Sequence, residues 1–113
     1  MSSRMSEEFN GLILEAIDDA LSVLGDKPVM RAFYYHLEKS ANIKRGQIPG
    51  RIEGFHKALV ALFYDGAIIL EKRICRNLYR RLCMDVQPNG GWALTECVIK
   101  ARANYESLKH DLE

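Results

Sequence analysis

The sequence predicts an all-α fold, a compact bundle of four core helices plus a C-terminal helix, with no sheet. Two observations carry this. Apolar residues recur at three- and four-residue steps along most of the chain, the spacing that gathers them on one face of a helix. Glycine, proline, asparagine and aspartate collect between those runs, where helices stop and start. The 113 residues are 48% hydrophobic and 27% charged. One domain of this size buries about two-thirds of its unfolded surface, so its core needs no disulfide or metal staple.

The first helix is expected over 7–24. Phe9, Leu12, Ile13, Ile17, Ala20, Leu21 and Leu24 form its stripe. Ser6 can cap its start, and Glu7 and Glu8 suit the positive end of the helix dipole. Gly25 is placed to close it, because glycine takes the left-handed conformation without a Cβ clash. Glu15, Asp18 and Asp19 then read as a solvated acidic face rather than a metal site.

Asp26 and Pro28 open the second helix, the first as N-cap, the second in a turn whose N–H groups have no intrahelical partner. Val29, Phe33 and Leu37 face one way, with Ala32 and Tyr34 near them, and Asn42 ends the helix. Residues 43–50 read as a loop broken by Gly46, Pro49 and Gly50. Ile43 and Ile48 are its apolar pegs, and Lys44 and Arg45 are expected to stay exposed.

The stretch from Phe55 to Leu82 is the centre of the pattern. A third helix over 51–63 carries Ile52, Phe55, Leu59, Leu62 and Phe63 on its stripe. Gly54 costs about 1 kcal/mol relative to alanine inside a helix, which points to close packing by another helix. Asp65-Gly66 marks a short break, and a fourth helix follows from Gly66 to Cys83. Ala67, Leu70, Ile74, Leu78 and Leu82 form its stripe, and Ile68, Ile69, Cys75 and Tyr79 widen it. A helix apolar over that much of its surface is central or meets a second chain.

Residues 84–91 are rich in turn formers, and the last helix, about 92–111, holds Trp92, Leu94, Val98, Ile99, Ala103, Tyr105 and Leu108. The expected organisation is therefore a helical core domain over 7–84, then a linker and C-terminal helix over 85–113 that packs on the core or on a partner subunit.

Net charge is +1, which gives no whole-chain argument for nucleic acid or a membrane. The local balance differs. Residues 66–85 carry five basic residues (Lys72, Arg73, Arg76, Arg80, Arg81) against two acidic ones. Lys72, Arg76 and Arg80 follow at i, i+4 and i+8 and form one row, with Arg73 and Arg81 beside it. This set is the candidate binding face. It reads as a solvated face, a contact for nucleic-acid phosphates, or a contact for an acidic surface such as the first helix of another copy. A nucleic-acid reader is usually more basic overall.

The start, MSSRMSEEF, has no apolar signal region, and no stretch approaches the length that spans a bilayer. Cys75, Cys83 and Cys97 are odd in number and widely spaced, which argues for thiols in a reducing compartment. A cytoplasmic protein is expected. There is no phosphate-binding glycine loop, no G-x-S-x-G, no H-E-x-x-H and no C-x-x-C, so no cofactor or metal is expected and the chain is read as no enzyme.

Three histidines remain to be placed. His110 is expected in solvent and His56 at a helix edge. His36, Glu38 and Glu71 are the candidate buried polar network, although residues 36 and 38 point about 200° apart on one helix. Glu71 lies in the most apolar part of the chain, and a carboxylate buried there requires a partner. An ion pair to a neighbouring helix is the simplest one. A small ligand or a catalytic role around His36, Glu38 and Glu71 is the other reading.

Several pieces then fall in order across 9–83: Leu24-Gly25, Tyr34-Tyr35-His36-Leu37-Glu38-Lys39, Gln47-Ile48-Pro49, Phe55, Phe63, Gly66-Ala67, Glu71 and Leu78-Tyr79. In this set the chain resembles the Nitrosopumilus output domain family. The resemblance implies a compact, all-helical archaeal domain found alone or within regulatory proteins, and it implies no established activity. The family pattern carries glycine directly after the phenylalanine, where this chain has Tyr64, and Val86–Glu113 lies outside the match. The expected role is a non-enzymatic interaction or regulatory module, self-associating as a dimer. The alternatives are a nucleic-acid-associated regulator using the basic face and a small-ligand binder. No membrane partner is expected.

Overall fold

A single helix, Gly66–Arg81, touches three others and forms the axis of the molecule. The computed structural model describes residues 2–84 and 93–112, with side-chain surroundings for 7–84 and 93–108. Five α-helices run in the order α1 Ser2–Leu21, α2 Lys27–Ala41, α3 Ile52–Phe63, α4 Gly66–Arg81 and α5 Leu94–Leu112, with short 3₁₀ turns at Ser22–Leu24 and Arg45–Gly50. The described residues contain no strand. The most extensive pairing is α1 with α4, and α5 packs on α4, α3 and α1. The radius of gyration, 14.0 Å, is near the roughly 13 Å of a compact domain of this length.

Helix α1 buries Phe9, Ile13, Ala16, Ile17, Ala20 and Leu21. It begins at Ser2, so Ser6 lies inside it and is not its cap. No glycine or proline precedes Ser6, and a formed helix propagates back through serine at little cost. The helix ends at Leu21, and Leu24 is 42% exposed instead of completing the stripe. Gly25 closes the segment at φ 153° and ψ −167°, which is a glycine-only extended conformation rather than the left-handed helical one. A Cβ there would also lie 2.7 Å from Val29 Cγ2.

Asp26 is the extended N-cap of α2, and Pro28 sits in the first turn. Asn42 ends the helix at φ 56° and ψ 40°, its N–H donating to the Glu38 carbonyl. Phe33 and Leu37 are buried, whereas Val29, in the first turn beside Gly25, is exposed and does not complete the stripe. Ile43 and Ile48 pin the following turn to the core. The neighbour that Gly54 accommodates is Ile43, whose Cδ1 would lie 3.1 Å from an added Cβ. The close approach comes from the turn and not from another helix.

Helix α3 buries Ile52, Phe55, Ala58 and Leu59, while Leu62 is partly exposed. The break after Phe63 is real: Tyr64 has φ 53° and ψ −122°. Helix α4 then buries Ala67, Leu70, Glu71, Ile74, Cys75, Leu78 and Tyr79. Ile68 and Ile69 do not widen its buried face; they are 57% and 62% exposed. The helix stops at Arg81 rather than Cys83, which has φ 55°. On α5, Leu94, Cys97, Val98, Ala101 and Tyr105 are buried, whereas Ile99 and Leu108 point outward. Trp92 lies outside the described residues.

Candidate functional site

The outward face of α4 follows from its period. With Ala67, Leu70, Glu71, Ile74, Cys75 and Leu78 turned into the core, the side chains left outside are Ile68, Ile69, Lys72, Arg73, Arg76 and Arg80. Two large aliphatic side chains therefore open a face that continues as a basic row. Tyr64, 77% exposed, lies two residues before the start of this helix.

Arg81 leaves that set. Its guanidinium is turned onto α1, where Nη2 donates to Asp19, Nε lies 3.5 Å from Glu15, and Nη1 donates 3.4 Å to the Asn77 carbonyl. Asn77, four residues earlier and on the same side of the helix, donates from Nδ2 to the Ala16 carbonyl at 3.2 Å. Residue 81 is rotated about 100° from residue 80, enough to move it from the outward row to the seam with α1. The acidic residues of α1 are thus not simply solvated. Glu15 and Asp19 receive Arg81, and Asp18 receives the Arg45 Nη2 at 2.5 Å and the Tyr34 hydroxyl at 2.5 Å. Arg45 is exposed as expected, its side chain at 43%, and is also tied to α1 by this pair. Burial and then the bond to Asp18 push the Tyr34 phenol well above its ordinary range, and the Asp18 bond raises the Arg45 guanidinium.

The polar network expected from His36, Glu38 and Glu71 is not assembled. His36 and Glu38 are exposed on α2. Glu71 is the buried member, at 5% exposure, and its carboxylate accepts from Nδ1 of His56 on α3. The partner is the half-exposed histidine at the helix edge. Spacing hid this pairing, since fifteen residues and a chain reversal separate the two. A buried carboxylate held by one imidazole links two helices, and among the described residues no nucleophile or second carboxylate is hydrogen-bonded to it.

The two cysteines of the core, Cys75 on α4 and Cys97 on α5, are both buried thiols, and Cys83 is exposed. The Cys97 thiol beside it and then burial push Cys75 far above the usual thiol range. Tyr79 beside them is pushed up to about 12, by burial and then by Cys97. Such a thiol is a packing group rather than a nucleophile. Among the described residues no three of the His, Cys, Asp and Glu side chains are grouped to hold a metal ion, and no helix is long and apolar enough to cross a membrane.

Between α2 and α3 lies a shallow apolar groove of about 320 Å³, lined by Leu24, Val29, Phe33, Leu62 and Phe63 with His36 at its rim. Phe33 stacks on Phe63 with ring centroids 5.9 Å apart, which floors the groove with core aromatics. Nothing polar converges there except His36. The exposed features of the described residues are an apolar and basic helix face on α4 and grooves along α2. No protein-family model, no curated protein and no solved structure matches the chain.

Proposed function

We propose that this chain is a non-enzymatic helical interaction module with a regulatory role, and that it self-associates as a dimer through the outward face of α4. The observation that carries this reading is the exposure of Ile68 and Ile69 side by side, at 57% and 62%, on the same face as Lys72, Arg73 and Arg80. Fully covering an aliphatic side chain of this size is worth about 1.5–3 kcal/mol, and contiguous apolar surface of this kind marks interaction sites. A two-fold contact centred on the isoleucines brings like surfaces together and lets the two basic rows diverge, so their repulsion stays small. The resemblance to the Nitrosopumilus output domain family supports the regulatory part of the reading. Thiols at Cys75, Cys83 and Cys97 fit a reducing, cytoplasmic compartment.

Light scattering after size exclusion tests the dimer. The wild-type chain is expected to run at twice 12.9 kDa at high concentration, and Ile69→Asp to run as a folded monomer. A wild-type species of 12.9 kDa at all concentrations rejects self-association. Arg81, engaged by Glu15 and Asp19, adds nothing to a phosphate contact, and the near-neutral net charge counts against the nucleic-acid reading. If that reading holds instead, Arg80→Glu abolishes a salt-sensitive binding to DNA or RNA.

A further inference from the structure

We propose that the groove between α2 and the Arg45–Gly50 turn is a binding site for a phosphate-bearing small ligand of nucleotide size. A cavity of about 540 Å³ is lined there by Arg31, Tyr34, Tyr35, Glu38, Lys44 and Arg45. A second, of about 250 Å³, shares Arg31, Tyr34 and Arg45 with it and adds Lys27 and Asp18. The two adjoin along these shared side chains, and the larger lies within the size range of small-molecule sites, roughly 300–1,000 Å³.

The charge of the groove comes from two elements that the sequence separates. Lys27 and Arg31 stand one helical turn apart on α2, and Tyr34 and Glu38 continue the same face. The turn after Asn42 returns along this face and adds Lys44 and Arg45. Four cations then face two carboxylates. One of the carboxylates, Asp18, is saturated: it accepts from Arg45 Nη2 at 2.5 Å, Arg45 Nε at 3.4 Å and the Tyr34 hydroxyl at 2.5 Å. Its charge is spent on fixing Arg45, so it does little to repel an anion. Lys27 and Arg31 form no ion pair among the described residues. Local charge is thus positive in a chain whose net charge is +1.

The groove is also organised before a ligand arrives. Asp18 holds the Arg45 guanidinium above the Tyr34 ring, 5.9 Å from its centroid. Ile43 and Ile48, both fully buried, fix the turn that carries Lys44 and Arg45. Arginine forks and lysines placed on rigid elements are the groups that bind phosphate. Tyr35, 58% exposed at the edge of the same groove, carries the Lys39 ammonium 5.5 Å from its ring centroid, and a planar base can stack on the ring in place of that flexible side chain. Phosphate oxygens are bound by Arg31, Lys44 and Lys27, and the base lies against Tyr35.

Backbone amide shifts on titration with AMP and with inorganic pyrophosphate test the site. Both probes are expected to move amides at 27–35 and 44–47 in the millimolar range or below. Arg31→Glu and Lys44→Glu, both at exposed positions, are expected to weaken both probes about tenfold with the helix signal unchanged. Tyr35→Ala is expected to weaken AMP and leave pyrophosphate unchanged. Ile69→Asp is expected to alter neither, which separates this site from the α4 face. Absence of shifts with both probes, shifts confined to 72–80, or indifference to both charge reversals overturns the proposal. Indifference of AMP to Tyr35→Ala overturns its nucleotide part.

Discussion

Tyr64 occupies φ 53° and ψ −122°, the dihedral pair of the first central residue in a type II′ turn, where glycine is the residue of choice. A non-glycine residue in such a region stores about 1–3 kcal/mol. Its side chain is 77% exposed, so little packing offsets that strain. Tyr64→Gly is expected to raise stability by about 1 kcal/mol, the strain relieved less the added flexibility of the unfolded chain. Urea unfolding measures it, and a lowered midpoint contradicts it. Gly25, by contrast, is a position where the residue already fits its conformation. Its φ of 153° and the proximity of Val29 leave no room for a side chain.

At the scale of elements, α4 joins the molecule through three kinds of contact. Its seam with α1 is apolar, with Arg81 and Asn77 at the polar end. Its contact with α5 includes the buried thiols Cys75 and Cys97. Its contact with α3 includes the His56–Glu71 pair. The carboxylate of that pair is 6% exposed and the imidazole 42%, so losing the histidine leaves a buried acceptor with one path to water. His56→Ala is expected to cost about 2 kcal/mol, within the roughly 1–3 kcal/mol of a buried group left unsatisfied. Adding Glu71→Met to that variant is expected to restore part of the loss, since a well-packed apolar replacement of both partners removes the stranded charge. Thermal melts of His56→Ala, Glu71→Met and the double variant give the coupling energy, and a double variant that loses as much as or more than His56→Ala alone contradicts the assignment.

Across the whole molecule, phenols knit the helices together. Tyr34 donates to Asp18, joining α2 to α1, and Tyr105 donates to Glu8 at 2.6 Å, joining α5 to α1. Burial and then Glu8 push Tyr105 up to about 12, and Tyr79 rises to about 12 through burial. Tyr34 is raised further. All three therefore favour the protonated phenol in the folded state. Their contribution is fully present below the unfolded value of about 10 and is lost as pH rises through the folded values. An alkaline titration is expected to show helix loss between pH 10 and about 12, with late ionisation of these tyrosines at 295 nm accompanying it. Complete tyrosine ionisation near pH 10 with the helix signal intact contradicts this.

The sequence by itself determined the number and order of the five α-helices, though not the 3₁₀ turns at Ser22–Leu24 and Arg45–Gly50, because helical period and the glycine, proline and asparagine stops are local signals. Gly25 and Asn42 as helix stops were legible for that reason, as were the pegs Ile43 and Ile48 and a break before the fourth helix, read at Asp65-Gly66 and found one residue earlier at Tyr64-Asp65. Tertiary structure alone decided which polar groups meet. Glu71 finds His56, Asp18 finds Arg45 and Tyr34, and Arg81 turns to α1. Each pairing spans fifteen or more residues, and no period of one helix encodes a contact to another. The same limit hid the exposure of Ile68 and Ile69. An apolar residue contributes to a helix stripe in the same way whether a neighbouring helix covers it or not, and only the packed arrangement of α1, α3 and α5 around α4 leaves those two outside.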